Sequence, residues 1–174
     1  MRVRIFQQRR ALKVLGETDR ERVLGEMAHL ALYFLPSFSG VRGEVEETVR
    51  RAMALYPEPL TERETYFREL TEILFSALSL PAVRPFFSPG LRDLREHPFV
   101  TEGKDGANLS GHRPDRIVFL PEGPVVLEYK LSGPSPEHER QVREYLRGLS
   151  AIWETPVKGY LFYLKPPELR EVEL

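Results

Sequence analysis

Two apolar segments separated by a tight turn constrain the fold of this chain more than any other feature. Residues 116–120 read RIVFL and residues 125–129 read VVLEY, with PEGP between them at 121–124. Both segments are apolar at successive positions rather than at alternate ones, which is typical of strands covered on both faces. They therefore predict a β-hairpin inside a sheet whose two sides are both buried.

The sequence before the hairpin is helical in pattern. Apolar residues recur at helical spacing over 18–35, 43–55 and 61–78, which predicts three helices. Thr18 and Thr61 each begin a Thr-x-x-Glu capping box, which is typical of a helix N-terminus. We therefore expect the first 95 residues to be mainly helical.

The rest of the chain alternates between strand and helix. Residues 97–102 are a predicted strand and residues 104–108 a predicted turn. After the hairpin, Ser135 is expected to cap a helix, and residues 159–164 are expected to form the last strand. The charged tail that follows is predicted to be loose.

Length and composition predict one α/β domain. The chain has 174 residues, with 25 Lys and Arg against 26 Asp and Glu, and no cysteine. We expect a single domain over 1–174, with a mixed sheet flanked by helices, an N-terminal helical region and a sheet core over 96–165. The lack of cysteine excludes a disulfide scaffold, a thiolate zinc site, an iron–sulfur cluster with cysteine ligands and a cysteine nucleophile.

The sequence contains no candidate membrane segment. The first ten residues (MRVRIFQQRR) are basic, and no apolar stretch follows them. The longest purely apolar stretch, 30–36, is far shorter than the roughly 20 residues that cross a bilayer. We therefore expect a cytoplasmic protein with no membrane partner.

Three charged side chains lie at the open end of the predicted hairpin. With 122–123 as a two-residue turn, Asp115, Glu128 and Lys130 fall on one face, because side chains alternate along each strand. Asp115 and Glu128 are then diagonal neighbours, with Cα atoms roughly 7–8 Å apart. A cation between them is within reach of both carboxylates.

These charges indicate a metal site. Carboxylates this close require a counter-ion or a raised pKa. Mg²⁺ or Mn²⁺ would resolve the repulsion through oxygen ligands, and Lys130 would add positive charge near a phosphate. The same spacing also fits a salt bridge between Lys130 and a carboxylate at a solvated strand end.

The residues around the hairpin resemble the signature of the PD-(D/E)xK nuclease superfamily. Pro114 and Asp115 match its Pro-Asp element, and 128–130 (EYK) match its Glu-x-Lys element. The sequence departs from the superfamily pattern at two places. Gly111 lies four residues before the aspartate, where the superfamily often has a glycine three residues before it. The segment between the lysine and the next glycine is one residue longer than is usual in the superfamily. The resemblance implies a restriction-endonuclease-like fold and metal-dependent hydrolysis of phosphodiester bonds.

Three further matches are similar to the RecB-like branch, which includes the nuclease domains of helicase–nuclease complexes. Gln141 and Tyr145 match its Q-x-x-x-Y helix, and residues 94–99 (LREHPF) match its E-x-P-F strand. Gly25 and His29 match its N-terminal G-x-x-x-H helix. The chain lacks the G-x-x-x-x-G-K-[ST] motif, so it has no P-loop motor of its own.

The resemblance implies a role for each matched residue. His29, Asp115 and Glu128, with the backbone carbonyl of Tyr129, would hold Mg²⁺ or Mn²⁺. Lys130 would be the catalytic cation. The side chain of Tyr129 is expected to point into the core. His29 also fits a buried core histidine without a metal.

The helix after the hairpin carries the candidates for binding nucleic acid. Gln141 and Tyr145 share one helical face and would position the DNA strand, although Tyr145 also lies on the apolar stripe and fits a core residue. Five arginines are candidates for gripping phosphates: Arg113, Arg116, Arg140, Arg143 and Arg147. A solvated face balanced by neighbouring glutamates explains the helical arginines equally well.

Together these observations predict a Mg²⁺- or Mn²⁺-dependent deoxyribonuclease. We expect an exonuclease in recombination or repair that acts on single- or double-stranded DNA, with a helicase or recombination protein as a candidate partner. Two alternatives remain open: a non-catalytic nucleic-acid-binding or scaffolding subunit of a helicase–nuclease complex, and an RNA-processing nuclease with the same site.

Overall fold

The computed structural model describes residues 19–102 and 109–174. Within these ranges the helices are α1 (Asp19–Phe34), α2 (Arg42–Leu55), α3 (Arg63–Leu78) and α4 (Pro136–Trp153), with a 3₁₀ helix at Arg84–Phe87. The strands are β1 (Arg92–Arg95), β2 (Phe99–Glu102), β3 (Leu109–His112), β4 (Arg116–Leu120), β5 (Gly123–Lys130), β6 (Lys158–Leu164) and β7 (Pro167–Val172). The three predicted N-terminal helices are confirmed.

Five of the strands form one mixed sheet in the order β1-β4-β5-β6-β7. Strands β5 and β6 are parallel, and the other neighbours are antiparallel. The predicted hairpin, β4–β5, therefore lies in the interior of the sheet. Strands β2 and β3 form a separate two-stranded sheet, so the strand predicted at 97–102 is not part of the main sheet.

Helices cover both faces of the main sheet. Val118, Val125 and Leu127 pack against α1, α2 and α3 in one core. Ile117 and Val126 pack against α4 in a second core on the opposite face. This alternation within two apolar strands confirms the predicted α/β fold, a mixed sheet flanked by helices with an N-terminal helical region.

Helix α4 lies directly on β6 because Gly159 has no side chain. A Cβ atom there would lie 2.7 Å from Cγ1 of Val142 and 2.8 Å from Cδ2 of Leu146, closer than such atoms pack. The helix begins as predicted, with the Ser135 hydroxyl accepting a hydrogen bond from the Glu137 amide at 3.3 Å.

The main sheet extends beyond the predicted sheet core of 96–165 at both ends. Strand β1 pairs with β4, and β7, in the tail that was expected to be loose, pairs with β6. Both are edge strands with polar sequences, RDLR and PELREV, so they lack the apolar pattern that reveals a strand. Val172 at the end of β7 is nevertheless buried.

The start of α3 differs from the prediction. Its N-cap residue is Glu62, which is left-handed (φ 54°) and makes no side-chain capping hydrogen bond. The capping box predicted at Thr61 is therefore wrong. Thr18 and the turn predicted at 104–108 lie outside the described residues. In the part of the chain that is described, no helix combines the length and apolarity needed to span a bilayer.

Candidate functional site

The register of the β4–β5 hairpin places Asp115 directly opposite Glu128. Arg116 pairs with Leu127, and the strand pairing closes with Leu120 opposite Gly123. The turn is therefore 121–122 rather than the predicted 122–123. The two acidic residues are cross-strand neighbours instead of diagonal ones, and they remain on the same face of the sheet.

Asp115 is held in place because β5 extends to Lys130, beyond the first residue of β4, Arg116. The Tyr129 amide has no β4 residue opposite it and donates instead to Oδ2 of Asp115 at 2.7 Å. In return, the Asp115 amide donates to Oε2 of Glu128 at 3.3 Å. Each carboxylate is thus bound by a backbone amide at the open end of the hairpin.

His29 reaches this site from the middle of α1. Its Nε2 atom lies 3.2 Å from Oδ2 of Asp115 and 3.0 Å from the carbonyl oxygen of Tyr129. Its Nδ1 atom lies 2.8 Å from the carbonyl oxygen of Gly25, which can only accept a hydrogen bond, so Nδ1 carries a proton. Nε2 therefore faces two oxygen atoms, and a proton between Nε2 and Asp115, or a cation shared by the three atoms, would make this contact favourable.

Lys130 links the hairpin to α4. Its Nζ atom donates to Oε1 of Glu128 at 3.0 Å and to Oε1 of Gln141 at 2.9 Å. Nε2 of Gln141 in turn donates to the Tyr145 hydroxyl at 2.6 Å. The i, i+4 pair of α4 therefore points toward the hairpin, as the Q-x-x-x-Y match predicted.

Burial makes the charge balance of the site significant. Asp115 and Glu128 are 3% and 1% exposed, and Nζ of Lys130 pairs with Glu128 at 3.0 Å. Lys130 therefore offsets the charge of Glu128, whereas Asp115 lies beside the ring of His29. A proton on His29 or a bound cation would place a positive charge beside Asp115, where burial strengthens its effect.

The donor atoms fit a hard divalent cation. Nε2 of His29 lies 3.2 Å from Oδ2 of Asp115 and 3.0 Å from the carbonyl oxygen of Tyr129. Adjacent ligands of an octahedral Mg²⁺ or Mn²⁺ ion lie about 3 Å apart, because metal–oxygen bonds are about 2.1 Å long. Within residues 19–102 and 109–174, however, no group of three or more His, Cys, Asp or Glu side chains is arranged to hold an ion. A backbone carbonyl supplies the third donor here.

The side chain of Tyr129 lies on the opposite face of the sheet, as expected. It is buried in the core formed with the N-terminal helices. Burial raises the pKa of its phenol above the usual range. The residue therefore contributes only backbone atoms to the candidate site.

Arg116 does not fit the predicted role in binding phosphate. It is 1% exposed, and its guanidinium group forms an ion pair with Asp93 of β1 at 2.7 Å. It also donates to the carbonyl oxygens of Leu35 and Pro36 at 3.0 and 2.7 Å, and lies over the ring of Phe87. The prediction is corrected: Arg116 joins the end of α1 to the sheet.

The other predicted arginines are distributed around the site rather than gathered in it. Arg113 pairs with Glu96 at 2.9 Å. Arg140 and Arg147 are exposed on the side of α4 away from the sheet, and Arg143 binds the carbonyl oxygen of Glu173 at 2.9 Å. Their roles in binding nucleic acid stay predictions.

Two histidines that the sequence interpretation did not single out lie beside the predicted residues. His112 of β3 packs edge-on against the ring of Tyr145, with ring centroids 5.8 Å apart. His138 lies one turn before Gln141, with Nδ1 3.3 Å from the Tyr163 hydroxyl. Burial lowers the pKa of His138, and the nearby charge of Lys130 lowers it further. The i, i+3 spacing from His138 to Gln141 was the available signal.

Comparisons with known proteins add little at this level of similarity. No family model matches the chain, and no curated protein is significantly similar to it. A solved structure described as "Crystal structure of SSO0001" is 20% identical, covers 83% of this chain and 66% of that chain, and has a TM-score of 0.42. This chain thus spans slightly less than two thirds of that neighbour's length.

Proposed function

We propose that this chain is a Mg²⁺- or Mn²⁺-dependent deoxyribonuclease of the PD-(D/E)xK type, acting as an exonuclease. One observation carries the proposal. A series of polar contacts, His29–Asp115–Glu128–Lys130–Gln141–Tyr145, joins residues from α1, the hairpin and α4 at one end of the sheet. These are the residues that the sequence motifs select independently of any structure.

Each residue has a role that its position supports. His29, Asp115 and the Tyr129 carbonyl would hold the ion, and Glu128 would complete its coordination after its side chain turns from the Asp115 amide. The ion would neutralise charge on the phosphate and acidify a water molecule. An ion pair holds Nζ of Lys130 3.0 Å from Oε1 of Glu128. There its ammonium group would stabilise the negative charge that develops on the phosphate during hydrolysis.

Gln141 and Tyr145 would orient the strand beside this ammonium group. The Gln141 side chain is already polarised between Lys130 and the Tyr145 hydroxyl. A phosphate oxygen could accept from the Gln141 amide or from Lys130 with only a side-chain rotation. Tyr145 itself is fixed by burial, so it serves as the rigid end of this arrangement.

The test uses end-labelled single- and double-stranded DNA incubated with the protein and Mn²⁺. Products that shorten from one end would support an exonuclease and give its direction. Asp115→Asn and Lys130→Ala should each reduce the cleavage rate by about 100-fold or more, since each removes a charge that acts on the transition state. Far-ultraviolet circular dichroism should show that both variants fold.

Lys158→Ala is the matched control. Lys158 is exposed at the start of β6, five residues before Tyr163, the residue that pairs with Lys130. The two lysines are therefore about 16 Å apart along the sheet. The control should cleave at the wild-type rate. Wild-type rates in Asp115→Asn and Lys130→Ala would contradict the proposal.

A second candidate function is a non-catalytic nucleic-acid-binding or scaffolding subunit. It is favoured by the hydrogen bonds of Lys130 with Glu128 and of Asp115 with a backbone amide, which form without an ion. Titration calorimetry with Mn²⁺ separates the two functions. A nuclease should bind Mn²⁺ and lose that binding in Asp115→Asn, whereas a scaffolding subunit should show no such binding.

The proposal extends to the setting of the activity. We propose that it acts in the cytoplasm, on DNA, with a helicase or recombination protein as partner, as the resemblance to the RecB-like branch implies. An RNA substrate would use the same site, and parallel assays with DNA and RNA strands of one sequence would distinguish them.

A further inference from the structure

Part of the α4 face of the main sheet is left uncovered and forms a groove of about 540 Å³. The groove lies over β1 and β4, between β2 and the last turns of α4. Four ring side chains line it: His97, Phe99, Phe119 and Trp153. Its volume is in the range of pockets that hold small organic ligands, about 300–1,000 Å³.

The charge of the groove suits an anionic aromatic ligand. Arg92 lies with its guanidinium carbon 4.8 Å from the centre of the Phe119 ring, which in turn packs against Trp153 at 5.6 Å. Among the described residues that line the groove, Arg92 carries the one full charge and none is acidic. Aromatic rings beside an arginine are the chemistry by which proteins hold unpaired bases next to their phosphates.

The groove is continuous with the candidate functional site through Phe99. This ring lines the groove and also packs against His112 at 5.0 Å and Tyr145 at 6.2 Å. Trp153 lies eight residues after Tyr145 on α4, or about 12 Å along the helix. A strand of a few nucleotides could therefore occupy both places.

We propose that this groove binds an unpaired nucleobase of the strand whose backbone enters the candidate site. The inference rests on the proposed nuclease function and makes it more specific, because it assigns a single-stranded substrate. A base inside a duplex is stacked and paired, and would have to leave the helix to reach these rings. The groove thus favours a single-stranded end or a frayed duplex over a blunt one.

Trp153 makes the proposal directly testable, because it is the one tryptophan of the chain. Its fluorescence is recorded while oligothymidylate is added to the wild-type protein in EDTA, which prevents metal-dependent cleavage. Saturable quenching by the single strand, and weaker quenching by a blunt duplex of equal length, is the expected result. Affinity is measured in parallel from the anisotropy of a dye-labelled strand.

Variants assign the binding to the rings and to the arginine. Phe119→Leu keeps an apolar side chain but removes the ring, and should weaken single-strand binding by at least about fivefold. Arg92→Gln should also weaken binding and reduce its salt dependence. Phe67→Leu and Arg50→Gln are matched controls, because Arg50 lies over the Phe67 ring in the same way, at 5.0 Å, within the N-terminal helices.

The outcomes separate this proposal from the nuclease proposal. Quenching with the expected variant effects supports the groove even if no DNA is cleaved. Cleavage of DNA with unchanged Trp153 fluorescence, and with wild-type affinity in Phe119→Leu and Arg92→Gln, overturns the groove and leaves the nuclease proposal standing. A groove that serves instead to dock another protein would also leave the fluorescence unchanged, so that result counts against the proposal.

Discussion

Replacing Arg116 by Met tests whether this side chain holds the fold together or binds DNA. Its guanidinium group pairs with Asp93 at 2.7 Å and donates to the carbonyl oxygens of Leu35 and Pro36. Methionine fills similar space but removes the charge and the donors. Breaking a buried pair costs about 3–5 kcal/mol. Because Asp93 keeps an ion pair with Arg95 at 3.1 Å, we expect the lower end, about 3 kcal/mol.

Urea unfolding followed by circular dichroism measures this loss. A loss of about 3 kcal/mol lowers the melting temperature by about 6–12 °C in a domain of this size. Arg147→Met on the exposed side of α4 is the control, and should change stability by less than about 0.5 kcal/mol.

The salt dependence of DNA affinity tests the alternative, that Arg116 binds a phosphate. Loss of a phosphate contact reduces the salt slope by about one, whereas loss of an internal ion pair leaves it unchanged. A stability loss below about 1 kcal/mol in Arg116→Met, together with a reduced salt slope, would refute the structural interpretation.

Three further predictions concern the core, the metal and pH. Gly159→Ala should lower the free energy of unfolding by about 1–3 kcal/mol in urea titrations, because its Cβ would meet Val142 and Leu146 on α4. Mn²⁺ at 100 times its dissociation constant should stabilise the wild type by about 2.7 kcal/mol, or roughly 5–10 °C in thermal melts, and should leave Asp115→Asn unchanged. The lowered pKa of His138 means that the unfolded chain binds a proton more readily than the folded one near and below pH 6.5. The free energy of unfolding should therefore fall as the pH drops through 6.5. Urea unfolding at several pH values should show a weaker pH dependence of stability in His138→Gln than in the wild type. An unchanged pH dependence would contradict the role of His138.

The parts of the fold that were predictable from sequence are those with a strong apolar period. The helices of the first half and the apolar hairpin each bury a regular pattern of side chains, so their type and order follow from the spacing. Strands β1 and β7 bury little and are mostly polar, so nothing in their own sequences distinguishes them from loops. Their partners β4 and β6 supply the pairing that makes them strands.

The wrong prediction for Arg116 arises because the sequence analysis did not predict strand β1. Its partner Asp93 belongs to β1, and the carbonyl oxygens that it binds belong to the end of α1. An arginine at a strand end is predicted to be exposed when the neighbouring strand is not predicted. Long-range pairing of this kind leaves no trace in local sequence, so only the folded structure can assign it.

The hairpin register shows why the site residues still came together. The observed register differs from the predicted one by two residues, with Leu120 opposite Gly123 and therefore Asp115 opposite Glu128. Side chains alternate with a period of two, so a shift of two keeps every residue on its face, whereas a shift of one would have moved Asp115 to the opposite face from Glu128. The motif needs both acids on one face and within reach of one ion. That condition is still met, and direct opposition brings the Cα atoms of the two acids to about 4.5–5.5 Å from each other instead of about 7–8 Å.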